Sequence, residues 1–125
     1  MSSALDLDRF AVIVLTTVGR VTGRPHSIEI WFAQRNDTIY LLSGGGDRSD
    51  WVRNLVRTPT VTIRAGSTGH TGTARIVADP DEQRLARDAV YAKYASRYGG
   101  DLTRWRESAL PVAVDLHGDA APRMA

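Results

Sequence analysis

"IYLLSGGGDRSDWVRNL", residues 39–55, decides how the chain is read. It begins as an apolar, β-branched run with strand character. Three consecutive glycines, Gly44, Gly45 and Gly46, follow without a spacer, and a helical pattern starts at once. One glycine would serve a turn that needs positive φ. Three of them ahead of Asp47-Arg48 raise the question of what lies so close to the backbone that side chains are excluded.

The spacing predicts a helix over 48–57, with Asp47 as N-cap and Asp50 in a box-like position. Trp51 with Leu55 and Val52 with Val56 form apolar i, i+4 pairs, and Pro59 ends the run. Upstream, "FAVIVLTTV" (10–18) reads as a buried strand, followed by the punctuated connection "GRVTGRP". "HSIEIWFAQ" (26–34) alternates, with Ile28, Ile30 and Phe32 on one face, although His26 shares their parity. Alternation turns Glu29 away from the isoleucines, towards solvent, a dimer partner or a cofactor-binding arginine. Asn36-Asp37 turns the chain into "TIYLLS" (38–43), so the first three strands read as an antiparallel meander.

Downstream, "TVTIRAG" and "HTGTARIVA" are two further strands joined by "GSTG". "DPDEQRLARDAVYAKYASRYGG" then carries a helix signature in which Asp79 caps, Pro80 takes the first turn, Glu82 closes the box and Gly99 stops the helix. "LPVAVDL" (110–116) is a last strand. Helices this few, and not alternating with strands, argue against a doubly wound parallel sheet. A mainly β (α+β) fold is expected: a small barrel of about six antiparallel strands closed by the last one, with two to three helices. One domain spans 1–125, its core covering 10–117 and a frayed tail 118–125.

Composition narrows the function. The chain has 125 residues and no cysteine, which excludes disulfides, thiolate metal sites and cysteine nucleophiles. The formal charge is +2, with Lys93 the single lysine among 16 basic residues. An arginine excess follows from GC-rich codon usage as readily as from a taste for phosphate. No block of like charge supports nucleic-acid binding. Without a signal-peptide pattern or a membrane-length apolar run, a cytoplasmic protein is expected.

Two glycine–arginine bends stand out as candidate ligand sites. Gly44–Gly46 with Arg48 and Arg53 offer backbone N–H groups and guanidinium for an anion, against a purely structural turn as the alternative. Arg20 and Arg24 flank the other bend, next to Pro25 and His26. The three histidines, His26, His70 and His117, lie on separate elements without metal-ligand spacing. Tyr91, Tyr94 and Tyr98 share one helix face, which core packing explains as well as an aromatic wall over a flat ring does, with Trp105 extending it.

Taken together, "LTTVGRVTGRPHSIEIWF", "YLLSGGGDRSDWVRNL…TPTVTIRAG", the "DPDE" helix and "LPVAVDL" resemble the deazaflavin (F420)-dependent nitroreductase family. That family lies in the split β-barrel superfamily of pyridoxamine-phosphate and flavin oxidoreductases. The resemblance covers about residues 10–116. It implies a split β-barrel, a homodimer and binding of reduced coenzyme F420. Residue by residue it implies that Arg20, Arg24, Pro25 and His26 follow the cofactor's phosphate and tail. It brings Ser43, Gly44, Gly45, Gly46 and Arg48 to the phosphate and ring edge, and gives Trp51 and Asn54 a pocket-shaping part. Many relatives carry a basic residue where this chain has Val21 and a lysine where it has Gly44.

The implied activity is hydride transfer from reduced deazaflavin to a small organic acceptor: a quinone, a nitro compound or an activated alkene. Tyr94 and Tyr98 are the candidate proton donors. Alternatives are an FMN-dependent oxidoreductase of the same fold, favoured by the two absent positive charges, and a non-catalytic flavin- or tetrapyrrole-binding protein. No metal is implied.

Overall fold

Why a nine-residue β run should not stay one strand is answered by where its two halves find partners. The computed structural model describes residues 6–98 and 100–117, so Gly99 and the expected frayed tail 118–125 lie outside the described residues. Strand β1 (Ile13–Val18) turns back into β2 (Pro25–Ile30), and β3 (Ala33–Arg35) pairs instead with β4 (Thr38–Ser43). The remaining strands are β5 (Thr60–Ala65), β6 (Thr68–Ile76) and β7 (Leu110–Leu116). Among the described residues they form one antiparallel sheet in the order β2-β1-β5-β6-β7-β4-β3.

The two edges of that sheet, β2 and β3, are therefore neighbours in sequence, joined through Trp31-Phe32. This corrects the single strand expected over 26–34 and makes seven strands rather than six. It also moves the closure: the bend at 31–32 links the edges, while β7 fills the gap between β4 and β6. Phe32, Ala33 and Gln34 are buried in succession, a break in the alternation that the bend requires.

Alternate residues of β4 serve two cores. Ile39 and Leu41 point into the barrel with Ile13, Leu15, Phe32, Ile63 and Val112. Tyr40 and Leu42 point outward beneath α2 (Pro80–Tyr94), against Ala86, Ala89 and Val90. Small Ala113 on β7 and the alanines of α2 let helix and sheet approach closely. Asp79 caps α2 as expected, its side chain accepting from the Glu82 N–H at 2.9 Å. Glu82 does not close the box; its carboxylate goes to Arg75 and Tyr40. A short helix, α3 (Thr103–Ser108), precedes β7 with no side-chain cap to announce it in the sequence.

The 39–55 stretch folds as read, with a shifted boundary. A single 3₁₀ turn (Gly46–Arg48) precedes α1 (Asp50–Arg57), whose N-cap is Ser49 rather than Asp47. Val52 and Leu55 enter the barrel core, whereas Val56, expected to pair with Val52, is exposed. Pro59 ends the element, since a ring in place of N–H cannot continue the helix, and β5 begins at Thr60.

Candidate functional site

The first turn of α1 faces the β1–β2 bend across a groove of about 600 Å³. Both walls are fixed by local chemistry. The Gly19 N–H donates to the Arg24 carbonyl at 2.8 Å and the Gly23 N–H to the Gly19 carbonyl at 2.9 Å. Gly23 sits at φ +76°, where a side chain would be strained. The His26 ring lies directly over Gly19: a Cβ there would come within 2.7 Å of it. That close approach turns His26 towards the groove that it lines with Arg20, Ser49, Asp50, Trp51 and Asn54.

Arg20 is the joint between the walls. Its backbone N–H and Nη1 both donate to Asn54 Oδ1, at 3.2 and 2.9 Å. Nη2 reaches Asp50 Oδ1 at 3.1 Å. Asn54 is buried and spends its own N–H on Thr17 Oγ1 at 3.1 Å. A buried amide with every polar atom engaged fixes its partners, so the orientation of Arg20 is set from below by α1. Thr17, Thr22 and Ser27 add hydroxyls to the lining, and Val21, Ile28 and Trp51 add apolar surface.

Of the residues singled out in the sequence, the structure therefore gathers Arg20, His26, Trp51 and Asn54 at one groove. Arg24 and Pro25 sit on the exposed rim of the same bend. Ser43, Gly44, Gly45, Gly46 and Arg48 are not among the groove's lining residues. Protein crowds Gly45, touches Gly44 at ordinary contact distance and leaves the space over Gly46 open. A Cβ on Gly45 would lie 2.5 Å from Ser49 Oγ, and one on Gly44 3.6 Å from the Trp105 ring. Gly46 takes φ +65°. The buried Ser43 hydroxyl donates to the Gly46 carbonyl at 2.8 Å and shares a 2.8 Å hydrogen bond with Ser49. The Arg48 N–H is used on the Gly45 carbonyl at 3.2 Å. The loop is folded around its own serines, and through Ser49 it positions the start of the groove's helical wall.

Tyr94 and Tyr98 do not line the groove. Tyr94 is 3% exposed; its hydroxyl accepts from the Phe32 N–H at 3.0 Å and donates to the Ala11 carbonyl at 2.7 Å, with the Phe32 carbonyl also 3.0 Å away. Burial pushes its phenol pKa up. Its ring stacks on Trp31 at 4.2 Å, and Tyr98 and Trp105 meet Trp31 edge-on at 5.5 and 5.8 Å. Packing accounts for buried Tyr94, whereas Tyr98 is 49% exposed and Tyr91 carries the Arg106 guanidinium 4.7 Å from its ring.

Two clusters escaped sequence reading because their members are distant in the chain. Arg75 on β6 holds Glu82 of α2 through two bonds at 2.7 and 2.8 Å and Asp115 of β7 at 2.7 Å. Its guanidinium draws both carboxyls below their usual range. Tyr40 donates to Glu82 at 2.8 Å, and burial first, then that carboxylate, pushes its phenol up to about 12. Lys93 is nearly buried between the Phe32 ring, 3.5 Å from its centroid, and Asp8 at 3.3 Å; burial lowers its pKa. Among the described residues no group of three or more His, Asp or Glu is placed to hold a metal ion. No helix among them is long and apolar enough to cross a membrane.

This architecture, a curled antiparallel sheet with α2 on its outer face and α1 at a barrel end, is the split β-barrel of the pyridoxamine-phosphate-oxidase type. Similar solved structures include a conserved hypothetical protein of Mycobacterium tuberculosis (TM-score 0.73, 21% identity, 100% of this chain and 91% of that one). Others are a protein proposed to be a pyridoxamine 5′-phosphate oxidase from Listeria innocua (0.66, 18%, 90% and 88%) and an F420 reductase (0.65, 16%, 90% and 90%). At these identities the likeness speaks to the fold. No curated protein matches the sequence. The chain belongs to the F420H2-dependent quinone reductase family, whose model matches residues 3–117. The family is one of F420-dependent oxidoreductases, and its cofactor is coenzyme F420.

Proposed function

We propose that the chain reduces a quinone or a similar small, flat acceptor at the expense of reduced F420, bound in the groove between the β1–β2 bend and α1. The observation that carries this reading is the convergence of Arg20, His26, Trp51 and Asn54, from three separate elements, on one groove. The residues fit such a cofactor. Val21, Ile28 and Trp51 supply apolar surface for a planar ring, and Arg20, His26 and the hydroxyls of Thr17, Thr22, Ser27 and Ser49 supply donors for its polar and anionic parts. Arg24 on the rim, Arg48 just ahead of α1 and Arg53 on α1 are exposed cations available to a longer anionic tail.

When bound, reduced F420 supplies the hydride, so the difficult chemistry belongs to the cofactor. This chain's residues bind and orient. Asn54 fixes Arg20, Arg20 anchors an anionic group, and Trp51 with Ile28 shields the ring face from water. The one proton that accompanies the hydride comes from solvent, because the Tyr94 phenol is committed to backbone groups and Tyr98 does not line the groove. Nitro compounds and activated alkenes are further acceptors under the same proposal, and so is a homodimer that covers the exposed edge strand β2.

The test mixes purified protein with reduced F420 and follows deazaflavin absorbance on adding menadione. Menadione-dependent reoxidation that falls at least tenfold in Arg20→Ala is the expected result. Protein that binds F420 without turnover over a panel of quinones and nitro compounds would rule the reading out. Yellow protein carrying FMN would replace the cofactor.

A further inference from the structure

Arg20 is the cation best placed for an anion in the groove, yet its outer donor is already occupied. Nη1 and the backbone N–H are held by buried Asn54, while Nη2 goes to Asp50 Oδ1 at 3.1 Å. The two bonds differ in kind. The Asn54 side is buried and tied onward to Thr17, so it is costly to break. The Asp50 side chain is 86% exposed, and an exposed single-contact ion pair contributes little and exchanges readily. Asp50 also lines the groove, so its negative charge stays there whatever Arg20 contacts.

We propose that Asp50 is an affinity- and specificity-setting residue: an internal anion that occupies Arg20 Nη2 and must be displaced by the phosphate or carboxylate of a bound ligand. The inference rests on the functional reading above and deepens it. Because Asn54 keeps the guanidinium in place, displacing Asp50 costs no reorientation of Arg20. The incoming group finds a preset donor, and the expelled carboxylate, still nearby, repels it. The groove thus favours ligands whose anionic group carries more charge than the carboxylate it displaces, and it holds them less tightly than a bare arginine would. Removing the charge of Asp50 strengthens binding of an anionic ligand by roughly 3–10-fold, the size of one unscreened unit charge acting across several ångströms of partly solvated groove.

The experiment measures dissociation constants of oxidised F420 by fluorescence quenching at low salt. In parallel, stabilisation by inorganic phosphate is read as a shift in melting temperature. The proteins are wild type, Asp50→Asn, Asp50→Glu and Asp37→Asn. Asp37 lies in the β3–β4 turn outside the groove, so its substitution makes the same change in net charge elsewhere. Asp50→Asn tightens F420 and enlarges the phosphate shift, Asp50→Glu stays at wild type, and Asp37→Asn changes neither. If wild type binds F420 and Asp50→Asn binds it no more tightly, the role of Asp50 is refuted while the functional reading stands. Equal tightening in Asp37→Asn also refutes it, since net charge alone would then be responsible. If F420 does not bind but phosphate stabilises Asp50→Asn more than wild type, the cofactor reading fails and the role of Asp50 survives. No response to either ligand removes both.

Discussion

Replacing Tyr94 by Phe separates a catalytic tyrosine from a structural one. The perturbation removes a single oxygen and keeps the ring, so the 4.2 Å stack on Trp31 survives. What disappears is the partner of the two Phe32 backbone groups at the place where the chain leaves β2 for β3, and of the Ala11 carbonyl ahead of β1. In a continuous strand the Phe32 N–H and carbonyl would find ladder partners. At the bend they have none, and the phenol takes the Phe32 N–H at 3.0 Å, with the Ala11 carbonyl at 2.7 Å. A lost hydrogen bond costs about 1 kcal/mol, and a buried N–H left without a partner adds about 1–3 kcal/mol. The total is about 2–4 kcal/mol.

For a chain of this length each kcal/mol moves the melting temperature by about 4 °C. Tyr94→Phe should therefore melt about 8–16 °C lower by circular dichroism, with an unchanged urea m-value. Below its transition, F420 affinity and quinone-dependent turnover should stay within about twofold of wild type. A variant with wild-type melting temperature and abolished turnover would refute the reasoning and return the phenol to the chemistry.

Three other perturbations test separate links. Asn54→Ala leaves Arg20 without its buried acceptor and strands Thr17, so it should lose about 1–3 kcal/mol of stability in urea unfolding and bind F420 at least tenfold more weakly; equal affinity would show that Arg20 orients itself without Asn54. Gly19→Ala drives a Cβ to 2.7 Å from the His26 ring and 2.9 Å from the Arg24 carbonyl, so it should cost about 1–3 kcal/mol as overpacking and weaken ligand binding, whereas a wild-type urea midpoint would mean that the bend yields freely. Arg75 lowers the Glu82 and Asp115 pKa values on folding, so their pairing stabilises the fold above the ordinary carboxylate range and that contribution is lost as pH falls through the depressed folded-state values. Arg75→Gln should accordingly lower stability at neutral pH and flatten its fall in acid, and parallel acid-unfolding curves for the two proteins would contradict this.

Much of this was legible from local pattern. β4 fits its 38–43 run to the residue, and Asp79-Pro80 marks the start of α2, because β-branched alternation and capping are properties of neighbours in the chain. The fate of 26–34 was not legible. Whether an alternating run stays one strand depends on which edges lie on either side, and those edges are set by β1 and β4, which no local signal relates. His26, polar yet in the parity of the isoleucines, pairs with Thr17 in the ladder and lays its ring over Gly19, a contact that only the folded bend creates. The Arg75 network hides for the same reason: Tyr40, Arg75, Glu82 and Asp115 meet only once four elements are in place.

The glycine loop bears on the groove at one remove. Reading the three glycines as room for a guest assumes that close approach in a functional region means a ligand. Here Ser49 fills the space over Gly45, and the Ser43–Ser49 hydrogen bond ties the loop to the cap of α1. The effect on the groove is indirect but definite. With Ser49 fixed as N-cap, Asp50, Trp51 and Asn54 leave the helix in a set order. Asp50 reaches Arg20 from the rim and Asn54 holds it from the core, one turn of helix apart. A methyl group at Gly45 would therefore act on ligand binding through Ser49 and the helix phase, although no atom of Gly45 lines the groove.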